Sequence, residues 1–433
     1  MLDKLIKTSD IDIFATAEIG IETAKREVWK VEPSSTAKNC RNFIREIVDT
    51  LDLQPNPEKP VIALSIGDPT VYGNLKPSPE TVKAVIDIIE EGLCNGYAPS
   101  VGYESAREAV AEYLSYDGVN FRAQDIVLCS GCSSSLEICI TALADGNEGH
   151  NILIPRPGFA IYRTLAESIG VQVKYYNLIP ENNWEADLQH LEAQIDVKTT
   201  AIVLNNPSNP CGSNYSEEHL RNILDIAYRH RIPVIADEIY ERLVFPGKKF
   251  ISTSSLHSGV PILVCGGLAK RFLVPGWRLG WIAVHDEIGA FEHIRKSLVS
   301  LSQRTIGSNT LIQGAIASII QNTPQSFHDE LASTLALHAQ IAFERLSNAR
   351  GLTPFMPDSA MYMVYEINLR HFPQFENGLD MAKKMMEEES VFCLPGECFQ
   401  IPGFMRIVLT VPQDLLEEAC DRIVEFCNRH YIE

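Results

Sequence analysis

Residues 201–236 read AIVLNNPSNPCGSNYSEEHLRNILDIAYRHRIPVIA, and this stretch decides the fold class. Two apolar runs, at 201–204 and 233–236, flank a segment with helical spacing at 216–230. Strands that are apolar without alternation are typical of a sheet covered on both faces, and strands that alternate with helices are typical of parallel pairing. The stretch therefore predicts one strand–helix–strand unit of an α/β sheet.

The same pattern extends in both directions along the chain. A second helical stretch lies at 135–144. Further apolar runs lie at 125–129, 151–154, 171–176, 262–265 and 279–284. Together the seven runs predict a three-layer α/β fold with a mostly parallel, seven-stranded sheet.

The pattern changes after about residue 325, where long helical runs and two short β-like runs indicate a smaller α+β domain. The helical runs lie at 327–348, at 379–390 and from Gln413, and the β-like runs at 360–365 and 405–409. We therefore predict four parts: an N-terminal extension (1–35), an arm with part of the small domain (36–75), a large domain (76–325) and a small C-terminal domain (326–433).

Composition excludes several classes of function. The 433 residues include 37 Lys and Arg against 56 Asp and Glu, a net charge of −19, so we expect neither nucleic acid nor a membrane as partner. No run approaches the ~20 apolar residues of a membrane helix, and the first residues lack the apolar core of a secretion signal. The cysteines, Cys129 and Cys132 included, have no matching pair at zinc-site spacing. We therefore predict no metal site, reduced thiols and a cytoplasmic location.

Ligands of open parallel sheets bind beyond the carboxyl ends of the strands, so the residues there are candidates for a site. Residues 130–135, SGCSSS, follow one run and open a helix, where free backbone N–H groups can hold a phosphate. An ordinary helix N-cap explains that piece as well. Asn205, Asn206 and Asn209 place amide groups at the next strand end, although a plain turn with two prolines would look the same.

Three charged residues follow or lie within apolar runs. Asp237 ends a buried run, which indicates either a cationic ligand or a helix N-cap. Lys270 follows another run, with Arg278 eight residues later. A Lys in a partly desolvated cleft can attack a carbonyl, and an Arg can grip a phosphate, whereas an ordinary surface Lys is the alternative. Arg406, inside a short apolar run, indicates either an exposed edge or a receptor for a carboxylate.

Seven segments in order now suggest a known family. They are LSIGDP (64–69), NGYAPSVG (95–102), PRPGF (155–159), NNPSNPCG (205–212), ADEIY (236–240), GGLAKRFLVPGWRLGW (266–281) and CLPGECF (393–399). Over roughly residues 40–430 the chain resembles the fold-type I aminotransferases, which depend on pyridoxal 5′-phosphate. The resemblance implies that the large domain binds this cofactor.

The resemblance also implies roles for individual residues. Lys270 would hold the cofactor covalently as a Schiff base, and Asp237 would keep the pyridine nitrogen protonated. Asn209 and Tyr240 would hydrogen-bond the ring oxygen O3′, and Phe159 would stack on the ring. The phosphate would be gripped by four residues, Gly131, Cys132, Ser133 and Arg278.

Two further implications concern the substrate and a second subunit. Arg406 and the backbone of Gly67 would bind the substrate α-carboxylate. Tyr97 would reach the phosphate of a neighbouring subunit, which implies a homodimer with shared active sites. Many relatives carry Ser or Thr three residues before the lysine as a phosphate ligand, whereas this chain has Gly267.

The leading hypothesis is transamination of an aromatic L-amino acid, tyrosine foremost, to 4-hydroxyphenylpyruvate in amino-acid catabolism. The acceptor would be 2-oxoglutarate, in a ping-pong reaction through pyridoxamine phosphate. A C–S lyase or an aminotransferase for alanine or nicotianamine is the alternative, because all would use the same Lys and Asp. A transcriptional regulator would need a basic DNA-binding segment ahead of the fold, and residues 1–40 are too short for one. Arg45 or Arg304 is a candidate for the distal carboxylate of glutamate, and a surface salt bridge is the alternative for either residue, more so for Arg304.

Overall fold

The computed structural model describes residues 31–433, of which residues 35–433 form one compact unit. The predicted extension at 1–35 lies for the most part outside the described residues. Among the described helices, none is both long enough and apolar enough to cross a membrane.

Thirteen α-helices lie within residues 31–433. In chain order they are α1 (Ser35–Asn39), α2 (Phe43–Thr50), α3 (Pro79–Glu91), α4 (Glu104–Leu114), α5 (Cys132–Leu143), α6 (Ile161–Ser168), α7 (Leu188–Ala193), α8 (Glu217–His230), α9 (Glu292–Ser302), α10 (Thr310–Asn322), α11 (Gln325–Leu346), α12 (Gly378–Glu389) and α13 (Gln413–His430).

Fourteen strands lie in the same part of the chain. They are β1 (Ile62–Ala63), β2 (Ile126–Cys129), β3 (Asn151–Arg156), β4 (Gln172–Ile179), β5 (Glu185–Ala186), β6 (Thr199–Asn205), β7 (Val234–Asp237), β8 (Ile262–Gly267), β9 (Gly280–His285), β10 (Leu352–Phe355), β11 (Tyr362–Ile367), β12 (Val391–Phe392), β13 (Leu394–Pro395) and β14 (Phe404–Val408).

The largest sheet confirms the predicted α/β class. Its strand order is β2-β9-β8-β7-β6-β3-β4-β5, with parallel pairing from β8 through to β4. β9 runs antiparallel to both of its neighbours. The sheet has eight strands rather than the predicted seven, because the two-residue strand β5 folds back antiparallel on the edge strand β4. A strand that short leaves no apolar run in the sequence.

The apolar run in β6 shows why continuous hydrophobic strands form this sheet. Ala201 and Val203 belong to one buried hydrophobic cluster, and Ile202 and Leu204 to another. Since successive side chains of a strand point to opposite faces, the two clusters lie on opposite faces of the sheet. All four side chains are fully buried, so an alternating pattern would have placed polar groups in one of the two cores.

Helix α8 returns the chain from β6 to β7, and its sequence explains its two ends. The Ser216 side chain accepts a hydrogen bond from the His219 backbone N–H, which caps the first turn. Two glutamates occupy that turn, and the last turn carries Arg229 and His230, so both ends suit the helix dipole. The strand ends that follow are brought together by register, because Asn205 pairs with Asp237 and Asp237 pairs with Cys265.

Two smaller sheets complete the described structure. The four-stranded one has the order β10-β11-β14-β13, and β1 pairs in parallel with β12. The segment just before Gly67 is thereby joined to a strand near the C-terminus, and the Val408 N–H donates to the Leu64 carbonyl. The predicted domain limits at 75/76 and 325/326 stay a prediction.

Candidate active site

A cavity of about 390 Å³ lies at the carboxyl ends of the parallel strands. Ten of the predicted site residues line it: Gly67, Cys132, Ser133, Phe159, Asn209, Asp237, Tyr240, Lys270, Arg278 and Arg406. Residues that are up to 339 positions apart in sequence (406 − 67) therefore meet in one place. Gly131 lies at its edge, beside Arg278.

Lys270 follows strand β8 and is half-buried. Its Nζ donates to the carbonyl oxygen of Gly67 at 2.7 Å and lies 5.9 Å from the centre of the Tyr240 ring. No carboxylate of the described residues forms an ion pair with this amine. The lysine is therefore directed into the cavity and not into bulk solvent, and a neutral carbonyl is a partner that it can leave for a ligand.

Asp237 is the last residue of β7 and is only 2% exposed. Its carboxylate accepts hydrogen bonds from the Tyr162 hydroxyl at 2.6 Å, the Ile239 N–H at 3.2 Å and the Cys132 thiol at 3.6 Å. Burial raises the pKa of Asp237, and the three hydrogen bonds oppose that rise.

A carboxylate offers about four acceptor sites, so these three donors leave about one for a ligand in the cavity. No described cation forms an ion pair with the Asp237 carboxylate. The alternative role as a helix N-cap is wrong, because the residues after Asp237 form a turn and no helix begins there. A cationic N–H ligand would satisfy both the charge and the open site.

The asparagine loop after β6 is organised by its own side chains. The Asn205 amide donates to the Asp237 carbonyl at 3.2 Å, and its oxygen accepts from the Asn209 N–H at 2.8 Å. The Asn209 oxygen in turn accepts from Arg406 Nη1 at 3.1 Å. The loop is therefore more than a plain turn, because it links the end of β7 to a guanidinium in the four-stranded sheet.

The start of α5 and Arg278 together form a positively polarised corner. Gly131 precedes α5 with φ of +80°, and no side chain caps the helix. Arg278 donates to the Ser130 carbonyl at 3.2 Å and to the Pro275 carbonyl at 3.0 Å, and no described carboxylate pairs with it. A Cβ on Gly131 would lie 2.5 Å from Arg278 Nη2 and would displace that group. The φ of +80° with ψ of 162° is also a conformation that essentially only glycine adopts. Free helix N–H groups beside an unpaired guanidinium favour an anion.

The structure explains why residue 267 of this chain is a glycine. A Cβ at this position would lie 2.8 Å from the Leu279 carbonyl oxygen and 3.1 Å from the Cα of Gly280. Both contacts are with the backbone of β9 or the residue before it, which cannot move aside without disturbing the sheet. A serine or threonine side chain at this position would therefore require the backbone of the sheet to shift.

Arg406 lies on β14 between β11 and β13 and is 4% exposed, so the exposed-edge alternative is wrong. Besides its bond to Asn209, its Nη2 donates to the Ser65 carbonyl at 2.6 Å. Its Nε is buried without a partner, and no described carboxylate neutralises it. Burial lowers the pKa of Arg406. A buried cation that lacks an anion is a site for a carboxylate ligand.

Two tyrosines in the cavity were missed by reasoning from the sequence. Tyr162 bonds Asp237, and Tyr362 lies 2.8 Å, oxygen to oxygen, from the Tyr240 hydroxyl. The only available signal for Tyr162 was its position three residues after Phe159. Tyr362 begins the apolar strand β11 and looked like an ordinary core residue.

Three other candidates lie apart from the centre of the cavity. Tyr97 is 88% exposed and does not line it. Arg45, on α2, lines the mouth of the cavity and lies 3.7 Å from Asp49. Arg304 is exposed and lies outside the lining.

Comparison with known proteins now decides the family. The family model described as aminotransferase class I and II matches residues 59–423. The chain belongs to this family. It is therefore an aminotransferase, and the resemblance inferred from the seven segments is confirmed.

Three relatives of this aminotransferase illustrate the range of the family. Tyrosine aminotransferase of Mus musculus is 51% identical, over 95% of this chain and 90% of the relative. The crystal structure of tyrosine aminotransferase from Leishmania infantum superposes with a TM-score of 0.89 at 33% identity, covering 94% of this chain and all of that chain. S-alkyl-thiohydroximate lyase of Arabidopsis thaliana is 36% identical, over 93% of this chain and 88% of the relative.

Fold-type I aminotransferases use pyridoxal phosphate, and the donor set of this aminotransferase fits that group. The cofactor combines an anionic phosphate, a basic ring nitrogen and an aldehyde. The corner at Gly131 and Arg278 favours an anion, Asp237 has an open acceptor site, and Lys270 offers an amine. Each chemical part of the cofactor thus has a complementary group in one cavity.

Proposed function

We propose that the enzyme transfers the amino group of an aromatic L-amino acid, tyrosine foremost, to 2-oxoglutarate. The products are 4-hydroxyphenylpyruvate and glutamate, formed in two successive half-reactions in the same cavity, and the reaction serves amino-acid catabolism. The support for tyrosine is the 51% identity to the mouse relative of that name. The observation that carries the proposal is the cavity itself, where an amine, a buried acid and an unneutralised buried arginine converge.

The proposed cofactor site consists of the residues at the carboxyl ends of the parallel strands. Bound pyridoxal phosphate supplies an aldehyde for the amino group and a ring that takes up the electrons of a broken Cα–H bond. We assign its phosphate to the start of α5 and Arg278, its ring face to Phe159, and its ring oxygen to Asn209 and Tyr240. Asp237 holds the proton on the ring nitrogen, because an anion close to that nitrogen favours its protonated form.

Lys270 has two proposed tasks. Its Nζ would hold the cofactor through the aldehyde, and in the structure this amine donates to the Gly67 carbonyl at 2.7 Å. As a general base and then a general acid, the same Nζ would take up the proton of the substrate Cα and give it back within the site, while the bound cofactor would supply the ring that takes up the electrons. An amine held within hydrogen-bond reach on one face of the site is suited to both transfers.

The substrate carboxylate is assigned to Arg406, with the Gly67 backbone as second contact. The guanidinium is already oriented by Asn209 and the Ser65 carbonyl, so little ordering is needed on binding. The apolar side chains of Ile44, Val48 and Leu394 line the same cavity and suit an aromatic ring. We assign Arg45 to the distal carboxylate of glutamate and 2-oxoglutarate, because it lines the cavity and Arg304 does not.

We further propose a cytoplasmic homodimer with shared active sites. Tyr97 and Leu93 are 88% and 78% exposed, and the nearby helix α3 exposes Val82, Ile86 and Ile89. An exposed apolar patch of this kind suits a second copy of the chain, which would bring Tyr97 to the partner's phosphate. All eleven cysteines are free thiols, which suits a reducing compartment.

A C–S lyase is the second candidate, since an Arabidopsis lyase is 36% identical and would use the same Lys and Asp. The two activities are separated by assaying the purified enzyme with tyrosine, phenylalanine, alanine and a cysteine conjugate, each with and without 2-oxoglutarate. We expect glutamate formation to be fastest with tyrosine and to require the keto acid. Negligible turnover of tyrosine, or release of pyruvate and thiol from the conjugate without keto acid, would reject the proposal.

A further inference from the structure

Tyr362 touches three of the residues to which the proposed function assigns a role. Its hydroxyl is 2.8 Å from the Tyr240 hydroxyl, and its ring centre is 4.4 Å from the Arg406 guanidinium carbon. A Cβ on Gly67 would lie 2.7 Å from the same hydroxyl, so a side chain at Gly67 would displace it. Tyr362 is 2% exposed and is therefore held in place by the core as well.

The pair of hydroxyls contains two protons and only one hydrogen bond between them. Among the described residues, neither the Tyr240 hydroxyl nor the Tyr362 hydroxyl has another hydrogen-bond partner. If Tyr362 donates to Tyr240, the Tyr240 proton is free to point into the cavity. If Tyr240 donates to Tyr362 instead, the Tyr240 proton points away from the cavity and cannot reach a ligand there. The direction of this one bond therefore decides whether Tyr240 can donate to a ligand.

The surroundings favour donation from Tyr362. A cation close to a phenol favours the ionised form of that phenol, which makes its hydroxyl the better hydrogen-bond donor. Each phenol ring has a cation over it, but the Arg406 guanidinium carbon is 4.4 Å from the Tyr362 ring centre, whereas the Lys270 amine is 5.9 Å from the Tyr240 ring centre. Hydrogen bonds in a chain also strengthen one another, so a donation from Tyr362 improves Tyr240 as a donor.

We propose that Tyr362 is a positioning residue whose hydroxyl donates to Tyr240 and so directs the Tyr240 proton to the ring oxygen of the cofactor. This inference rests on the proposed function, since it takes the role of Tyr240 from there. Tyr362 itself need not touch the reacting atoms. The other ionisable groups that face this corner are Lys270 after β8, Asp237 on β7 and Arg406 on β14, together with Tyr162 on α6 and Cys132 at the start of α5. None of these groups is replaced in the test.

The test replaces Tyr362 by Phe, which removes the hydroxyl and keeps the ring against Arg406. The readout is the pH midpoint of the visible absorption of the enzyme loaded with pyridoxal phosphate. A weaker hydrogen bond to the ring oxygen leaves more negative charge near the nitrogen that joins the cofactor to Lys270, so that nitrogen holds its proton to higher pH. We expect Y362F to raise the midpoint by about half a unit, and Y240F to raise it further.

A double variant separates positioning from a structural role. Once the Tyr240 hydroxyl is absent, that of Tyr362 has no group to orient, so the Y240F/Y362F midpoint should equal that of Y240F alone. Binding of phenylpropionate, a carboxylate that cannot react, should change less than about threefold in Y362F, since the ring stays on Arg406. The control is Tyr365→Phe, on the same strand, whose buried hydroxyl lies near Cys393 and outside the cavity lining, so that its loss should not move the midpoint.

The outcomes distinguish this inference from the proposed function. If the visible band is present but the Y362F midpoint equals that of the wild type, only the role of Tyr362 is overturned. The same holds if the shifts of the two single variants add in the double variant. Absence of the band in the loaded wild-type enzyme overturns the cofactor assignment and the role of Tyr362 together.

Discussion

Substitution of Gly131 by Ala tests whether the start of α5 and Arg278 bind the cofactor phosphate. The structure shows which atoms the new methyl group would contact and which phosphate contact would be lost. Gly131 has φ of +80°, and a Cβ there would lie 2.5 Å from Arg278 Nη2 and 2.7 Å from its Cζ. With ψ of 162° this is a backbone conformation that essentially only glycine adopts, and it costs an L-residue about 1–3 kcal/mol, which should appear as lost stability with or without cofactor. The contact must in addition push the guanidinium away from the start of α5.

The loss of cofactor affinity follows from the displaced arginine. A hydrogen bond between charged groups contributes about 1.5–3 kcal/mol, so losing one between Arg278 and the phosphate weakens binding by roughly 10- to 150-fold. Pyridoxamine phosphate is the suitable ligand, because it lacks the aldehyde and its affinity does not depend on the bond to Lys270. Its dissociation constant can be measured by equilibrium dialysis.

The matched control is Gly276→Ala, in the same turn as Arg278. A Cβ on Gly276 has no neighbour within 4 Å, and the φ of Gly276 is not positive. The affinity of the G276A variant for pyridoxamine phosphate should therefore equal that of the wild type. Equal dissociation constants for G131A and G276A would refute the assignment of the phosphate to this corner. A G131A protein whose free energy of unfolding is lower by only about 1–3 kcal/mol, yet which binds pyridoxamine phosphate far more weakly, would support the assignment.

Two further predictions concern the buried acids on and after β7. Burial raises the pKa of Glu238 from 4.5 to about 7, so between those pH values the folded state keeps a proton that the unfolded chain has lost, and stability falls as pH rises through this window. Glu238→Gln should therefore gain stability relative to the wild type by up to ~3 kcal/mol between about pH 5 and pH 8, measured by urea unfolding of the cofactor-free proteins. An equal difference at both pH values would contradict the burial argument. Asp237→Asn keeps the shape but not the charge opposite the ring nitrogen, so kcat for transamination should fall by about 10- to 1000-fold, as expected for losing a neighbouring charge worth ~1–3 pKa units. Unchanged kcat in stopped-flow or steady-state assays would remove Asp237 from the mechanism.

The fold class could be predicted because the strands of this sheet are buried on both faces. β6 and β7 contain the unbroken apolar runs 201–204 and 234–236, which leave a strong signal in the sequence. The eighth strand, Glu185–Ala186, could not be predicted, since it forms only where the chain happens to return along the free edge of β4. Two residues carry too little pattern for such an inference.

The candidate site could be predicted where a charged residue interrupts or ends an apolar run. Asp237 and Arg406 stood out for that reason, and the structure then removed their alternatives, a helix N-cap and an exposed edge. Tyr162 and Tyr362 did not stand out, because a tyrosine is half apolar and is common in cores. Their importance depends on which hydroxyl meets which partner, and only the packed structure determines that.

Tyr97 shows a different limit. Its proposed partner belongs to a second copy of the chain, so neither the sequence nor the fold of one subunit can place it in a site. Its exposure of 88% shows only that it is free to meet another surface.

The most direct test of the account is the visible spectrum of the wild-type enzyme and of Lys270→Ala, each loaded with pyridoxal phosphate and freed of excess by gel filtration. The wild type should keep a visible band that sodium borohydride abolishes while fixing the cofactor to the peptide that contains Lys270. The alanine variant should show neither the band nor the labelled peptide, with an unchanged unfolding midpoint in the absence of cofactor. A colourless wild-type protein, or a label on any other lysine, would contradict the claim that this amine holds the cofactor.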